Sequence, residues 1–345
     1  MTSGNIGGQH LKVLTIQRSL SDLVGKENLK SVSTHDFKKR SVRILIDTVR
    51  GAYRSEHVFS ILARNGLQYL LPLLVVLSFV TKAKNHYVVV GGWLPETAAR
   101  SRWICWILKR VDFVYVESEA MKVKMQTFLD LSHISVIPNY RRCERVAWSH
   151  LDARNGPVLK ILYLSRVSRE KGVFVAMDAV TDCSIQMPEI ELRFEIWGPI
   201  ADDDQKEFFR RVSQNEELLK YRGVATGSQC HVIDLMAEYD LFLFPSFYPG
   251  EGQSGALIEA QLAGLPIVAT NWRYNAEVVR DGENGMIVEP KNIEHMTAAL
   301  KLMLSDARMR NDYAIASWEG ALLYSENRAL EIFEANITSE REHLQ

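Results

Sequence analysis

Residues Leu241–Thr270 read LFLFPSFYPGEGQSGALIEAQLAGLPIVAT. The opening LFLFPS is apolar without alternation, which suits a strand buried on both faces. A loop rich in proline and glycine follows. Ser254 then offers an N-cap for GALIEAQLAG, and Gly264 and Pro266 supply stop signals before a second strand, PIVAT. Strand, helix and strand in this order make a βαβ unit of a parallel sheet. The stretch also carries two glutamates, Glu251 in the loop and Glu259 inside the helix. Two readings fit them: a turn residue with a solvated helix face, or a cradle for a phosphorylated ligand.

The same rhythm runs outward from this unit. LKILYLSRV (Leu159–Val167), LRFEIWGP (Leu192–Pro199) and GMIVE (Gly285–Glu289) read as further buried strands, with a helix from Gly172 and a charged helix over DDDQKEFFRRVSQNEELLK. The first half repeats the pattern less cleanly. Its strand candidates are VRILIDT (Val42–Thr48), HVFSIL (His57–Leu62), HYVVVG (His86–Gly91), FVYVE (Phe113–Glu117) and ISVIPN (Ile134–Asn139). Leu11, Val13, Leu14, Ile16, Leu20, Leu23 and Val24 fit helical spacing after the glycines of GNIGG better than they fit a strand. On that reading the strand that normally opens such a domain precedes residue 1, as a misplaced start codon would produce. The expected fold is α/β: two Rossmann-like, doubly wound parallel-sheet domains, 1–155 and 156–345, the second with a terminal helix. The polar segment Arg141–Pro157 would link them, and the carboxyl ends of their strands would face each other across a cleft.

Bulk properties narrow the function. A length of 345 residues suffices for two ordinary domains, and 47% hydrophobic with 24% charged residues is a globular composition. The formal net charge of −1 leaves no global field to recruit nucleic acid. Cys105, Cys143, Cys183 and Cys230 are far apart, without metal-ligand spacing or a disulfide framework, and suit a reducing cytoplasm. MTSGNIGGQH lacks the layout of an export signal, and the apolar run Leu70–Val80 is too short to span a bilayer, so a core helix is expected there.

The chemistry concentrates in two loops of the second half. In the first turn of GALIEAQLAG, the amides of Gly255, Ala256 and Leu257 and the helix dipole would accept a phosphate or diphosphate at the Ser254 turn. Glu251 would hang over that site, and Glu259 would lie deeper, where a carboxylate can accept hydrogen bonds from a ribose diol. In LSRVSREKG, Arg166, Arg169 and Lys171 share the loop after the preceding strand, where cations can neutralise a diphosphate leaving group. A solvated basic loop is the alternative for that stretch alone.

LSRVSREKG, followed by FPSFYPGEGQSGALIEAQLAGLPIVATNWRYNAEVVRDGENGMIVEP, resembles the large retaining glycosyltransferase family 4, of GT-B fold, with its E-x7-E signature. The likeness covers essentially the whole second half. Together with RNGLQYLLPLL and VVVGGWLPE it looks most like bacterial members that build O-antigen, lipopolysaccharide or capsular polysaccharide. The resemblance implies a diphosphate-binding pair in Arg166 and Lys171, donor-sugar contacts from Glu251, ribose contacts from Glu259, and a phosphate-facing helix start at Ser254, Gly255 and Ala256. Gly198 and Gly223 fall where the family contacts the base. The family commonly reads Glu-Gly-Phe-Gly where this chain reads Glu251-Gly252-Gln253-Ser254, which shifts the amide contacts. Many members carry a histidine after the strand that is HYVVVG here; this chain has Gly91-Gly92-Trp93.

The implied reaction is sugar transfer with retention from a nucleoside diphosphate, UDP expected over GDP, without cofactor or metal. The implied acceptor is a polyprenyl-diphosphate-linked oligosaccharide. Arg64, Asn65, Trp93 and Glu96 are the candidate acceptor contacts, with a place in the core as the alternative for Trp93. AARSRWICWILKR sets Arg100, Arg102, Lys109 and Arg110 beside Trp103 and Trp106. That pattern fits a helix in a lipid headgroup layer, on the cytoplasmic face of the membrane, or an ordinary helix that buries both tryptophans. Two rivals remain at this point: a catalytically silent nucleotide-sugar-binding subunit, and a GT-B sugar-nucleotide epimerase or hydrolase.

Overall fold

The structure, a computed structural model, describes residues 8–34, 37–127, 129, 133–148 and 156–338. The GNIGG loop lies, all but its last residue, outside them. The chain divides into two compact units. One holds Asn139–Ser325, and the other holds the described residues up to Pro138 together with those from Glu326.

The first unit begins with α1 (Gly8–Val24) and α2 (Phe37–Tyr53). α1 is the helix the spacing predicts, but its buried stripe is Lys12, Thr15, Ile16, Ser19 and Leu20. Of the apolar positions that suggested it, only Ile16 and Leu20 are buried, and Leu11, Val13, Leu14, Leu23 and Val24 are half-buried. VRILIDT was expected as a strand, and the structure places it within α2. Its β-branched residues suggest a strand, but Ile44, Thr48 and Ala52 are buried four residues apart while Val42, Leu45 and Ile46 face out. Then follow β1 (His57–Leu62), α3 (Arg64–Thr81), β2 (Lys84–Val89), α4 (Leu94–Ala99), α5 (Arg102–Leu108), β3 (Phe113–Val116), α6 (Glu119–Gln126) and β4 (Ile134–Val136). The four strands form a parallel sheet in the order β1-β2-β3-β4. The apolar run 70–80 belongs to α3, the crossover helix between β1 and β2. Leu67, Leu71, Leu74 and Val75 pack inward, while Tyr69, Val76, Phe79 and Val80 stay exposed. Among the described residues α3 is one helix long and apolar enough to cross a membrane, but its inner stripe is seated in the unit.

The second unit contains β5 (Val158–Leu164), α7 (Val173–Gln186), β6 (Glu191–Trp197), α8 (Gln205–Gln214), β7 (Leu219–Gly223), α9 (Gln229–Met236), β8 (Leu241–Phe244), α10 (Gly255–Leu262), β9 (Ile267–Thr270), α11 (Asn275–Val278), β10 (Gly285–Val288), α12 (Ile293–Ser305) and α13 (Ala307–Gly320). Its six strands are parallel, in the order β10-β9-β8-β5-β6-β7. Alternate side chains fill two cores: Ile161, Tyr163, Leu241 and Leu243 on one face, and Leu162, Phe242 and Phe244 on the other. That two-sided burial is why ILYL of β5 and LFLF of β8 read as unbroken apolar runs. The charged helix ends earlier than expected, because Leu219–Gly223 forms β7. As the edge strand, β7 leaves Lys220 and Arg222 partly open to solvent, so its sequence lacks the buried-strand signature.

Two further expectations change. The boundary lies at Pro138–Asn139, not 155/156, because residues 139–148 pack on the second unit: Val146 N donates to Leu262 O and Trp318 Nε1 to Val146 O. The closing helix, α14 (Glu326–Thr338), belongs with the first unit, where Phe333 packs edge-on against Phe59 and Tyr115. The cysteines also differ from expectation. Cys143 and Cys230 form a disulfide with Cα atoms 5.4 Å apart, while Cys105 and Cys183 are free. The pair stands 87 residues apart in sequence, so no local spacing announced it.

Candidate active site

In the second unit the chain runs from β5 outward through β6 to β7, then returns to the other side of β5 to lay down β8, β9 and β10. The direction of winding therefore reverses between β5 and β8. In an open parallel sheet, that reversal opens a crevice beyond the carboxyl ends of the two strands. The loop after β5 carries Arg166 and Lys171, and the loop after β8 carries Glu251 and Ser254.

Backbone contacts lock these loops together. Phe247 N donates to Glu170 O, Val167 N to Pro199 O, and Gly198 N to Gly223 O. Gly198 has φ +140°, and a Cβ there would stand 1.9 Å from the carbonyl oxygen of Ser165, so the close approach of the β5 and β6 loops requires glycine. Beside it, Arg222 grips Glu195 with two hydrogen bonds of 2.8 and 2.7 Å, Tyr239 donates to the same carboxylate, and Trp197 donates to Tyr239. Burial works to raise the Glu195 carboxyl, but the Arg222 and Tyr239 bonds outweigh it and hold the group below the usual carboxylate range. Gly198 and Gly223 thus sit on a braced sheet end.

Lys171 and Glu251 meet directly. Nζ of Lys171 lies 3.0 and 2.7 Å from the two carboxylate oxygens, and Ser246 Oγ donates to Oε2 at 2.5 Å. Lys171 Nζ stands 5.0 Å from the Tyr248 ring centroid and Arg166 Cζ 5.7 Å, so both cations share one aromatic neighbour. Arg166 itself is exposed. Two cations, a buried carboxylate and a helix start thus gather at the sheet reversal, where an anionic ligand can be bound.

Ser254 occupies the N-cap position of α10 as expected, but its side chain caps none of the amides of the first turn; Gly255 and Ala256 begin the helix. Glu259 was expected on an open helix face or toward a ribose. It is 7% exposed, and Arg141 Nε donates to its Oε1 at 2.7 Å. Sequence reasoning missed Arg141, Ser246 and Tyr248. Arg141 lies in the stretch taken as linker, 118 residues from its partner.

In the first unit, Arg64 and Asn65 are exposed at the start of α3, just past β1. Trp93 is half-buried, its indole N–H donating to Val90 O, and Glu96 falls in the first turn of α4. The parallel register of β1 and β2 sets both loops at one sheet edge. That edge also holds an ion pair the sequence did not announce. Lys12 Nζ lies 2.6 Å from Glu117 Oε1 and donates to Val89 O, and Gly91 N donates to the same glutamate oxygen. Trp103 and Trp106 stack on each other, 54% and 40% exposed, and Arg110 lies over Trp106. An ordinary helix burying both tryptophans is thereby ruled out.

Comparison with known proteins agrees with this architecture. Residues 148–317 match the family model described as glycosyl transferases group 1. The chain is 24% identical over 231 residues to a glycogen synthase of Mycobacterium tuberculosis, covering 66% of this chain and 53% of that protein. It is 27% identical over 180 residues to the N,N'-diacetylbacillosaminyl-diphospho-undecaprenol alpha-1,3-N-acetylgalactosaminyltransferase of Campylobacter jejuni, covering 52% of this chain and 44% of that one. The chain therefore spans about half the length of these curated relatives. Among solved structures, Anabaena HepE in complex with UDP superposes with a TM-score of 0.78 at 18% identity, covering 98% of both chains. The fold is GT-B.

Proposed function

We propose that this protein is a glycosyltransferase that moves a sugar from a nucleoside diphosphate, UDP in preference to GDP, to a lipid-linked saccharide with retention of configuration. The observation that carries the reading is the convergence of Arg166, Lys171, Glu251 and the start of α10 at the β5/β8 reversal. In this account the diphosphate draws Lys171 and Arg166 onto its oxygens, and their charge stabilises the leaving group as the glycosidic bond breaks. Glu251, released from Lys171, takes hydroxyls of the donor sugar, and Glu259 takes the ribose. HepE was solved with UDP, and the Campylobacter relative is named for a diphospho-undecaprenol acceptor, which favours both halves of the reading.

A lipid-linked acceptor calls for a membrane surface, and we assign the cytoplasmic face of one to the first unit. Neighbouring helices α2, α3 and α5 expose Val42, Ile46, Tyr69, Phe79, Trp103 and Trp106, and Arg43, Arg50, Arg100, Arg102, Lys109 and Arg110 belong to the same stretch of helices and helix ends. Apolar and aromatic side chains mixed with cations suit an anionic headgroup layer. Arg64, Asn65, Trp93 and Glu96 would then meet the acceptor sugar. Surface polysaccharide assembly, of the O-antigen or capsular kind, is the setting such a substrate implies.

The test is turnover of a panel of UDP-sugars with a polyprenyl-diphosphate-linked saccharide, the product's anomeric configuration read by NMR. Transfer giving the donor's own anomer is expected. Donor binding without transfer to any acceptor would point instead to a silent binding subunit, and donor turnover without acceptor to an epimerase or hydrolase.

A further inference from the structure

Residues 139–146 form a strap along the start of α10. Asn139 binds Gln253 twice, its N–H donating to Oε1 at 2.8 Å and its Nδ2 to the carbonyl oxygen at 3.0 Å. Arg141 N donates to Tyr324 O, and Cys143 is bonded to Cys230 of α9. This places the Arg141 guanidinium, 5% exposed, between the strap and α10. Nη1 donates to Asn139 O, Asn139 Oδ1 and Tyr140 O, and Nε donates to Glu259 Oε1. Nη2 lies against Gly255: a Cβ on that glycine would stand 1.8 Å from it. The guanidinium is therefore fixed by the fold itself, and position 255 is kept free of a side chain to admit it.

Glu259 has a matching peculiarity. Oε1 is committed to Arg141, and Oε2 takes no hydrogen bond from a described residue. A single aligned bond from the guanidinium to one carboxylate oxygen fixes the rotamer while leaving the other oxygen's lone pairs open. Arg141 lies outside the matched residues 148–317, so the family match does not supply it.

We infer that Arg141 is a positioning residue of the donor site: it holds the Glu259 carboxylate turned so that Oε2 accepts from the ribose hydroxyls of the nucleotide. The inference rests on the donor reading above and adds to it the residue that sets discrimination for ribose. Ribose specificity then depends on a buried pair, Arg141–Glu259, that spans the strap and the helix.

Calorimetric titration with UDP and with 2′-deoxy-UDP and 3′-deoxy-UDP tests it. Wild type should favour UDP over at least one deoxy analogue by about tenfold or more, the worth of a hydrogen bond to a charged group. In Arg141→Gln that ratio should fall toward one, mostly through loss of UDP affinity, while Arg141→Lys, which restores a cation, should recover part of it. Gly255→Ala, which displaces the guanidinium without touching its charge, should lower the ratio as well. Thermal unfolding of each variant identifies those that are folded, and Arg141→Lys alone suffices if Arg141→Gln is not. A purely structural role would weaken all three nucleotides together and leave the ratio intact; that result overturns the inference while the donor reading stands. Wild type that binds no nucleoside diphosphate removes both.

Discussion

The Lys171–Glu251 pair allows the account to be tested before any acceptor is known. Their side chains are 14% and 9% exposed, and Nζ contacts both carboxylate oxygens. Lys171→Met would leave Glu251 with Ser246 as its remaining donor among the described residues, and removing one member of a buried pair costs about 3 kcal/mol or more. Glu251→Leu should cost less, about 2 kcal/mol, because a lysine stem can turn its head to water. The double variant removes both charges at once and should lose less than the sum of the singles, by about 2 kcal/mol. Urea denaturation of the four proteins measures this cycle. The ligand readout sharpens it. UDP should raise the unfolding midpoint of wild type, since a ligand bound only by the native state stabilises it, and should do so much less in Lys171→Met. Strict additivity of the two stability losses, or an undiminished UDP shift in Lys171→Met, would refute the reasoning that one lysine serves both partners.

Other consequences follow from other parts of the molecule. His86 is fully buried, stacked between Phe59 and Phe113 and hydrogen-bonded to His57 and Tyr115, and burial first, then the charges of His57 and Lys84, pushes its imidazole down to about 3. The unfolded chain binds that proton more readily, so the stability this neutral group carries is full above about pH 6.5 and declines as pH falls toward 3. At pH 5 the loss is about 2 kcal/mol, and His86→Phe should flatten the slope of urea-measured stability between pH 6.5 and 5. Reducing Cys143–Cys230, or Cys230→Ser, reopens a loop of 87 residues and should lower stability by up to about 4.6 kcal/mol on chain-entropy grounds, read as a fall in the denaturation midpoint under dithiothreitol. Changing Arg100, Arg102, Lys109 and Arg110 to Ser should abolish flotation with anionic liposomes while leaving UDP binding in place; unchanged flotation would end the membrane assignment.

What the sequence disclosed, and what it withheld, follows from the range of each interaction. The middle of the second sheet is buried on both faces, so ILYL of β5 and LFLF of β8 are apolar at every step and readable at sight. VRILIDT carries the same residue types, but its burial alternates over four residues, which shows only when a window as long as α2 is considered. The edge strand β7 has solvent where a neighbour would be, and so it looked like the tail of a helix. In the loops after β5 and β8 and the helix α10 that follows, Arg166, Lys171, Glu251 and Glu259 stood out because cations and carboxylates flanked glycine turns within a few residues. The partners that orient them did not. Arg141 reaches Glu259 across 118 residues, Lys12 reaches Glu117 across 105, and Cys143 reaches Cys230 across 87. Each such pairing is set by the sheet order and the strap, with no spacing rule to betray it.

The most direct measurement is a crystal structure of the protein soaked with UDP. The account predicts the diphosphate at the β5/β8 reversal, its oxygens about 3 Å from Lys171 Nζ and the Arg166 guanidinium, and a ribose hydroxyl on Glu259. UDP bound elsewhere on the second unit, with Lys171 still clasped to Glu251 and Glu259 untouched, would contradict it.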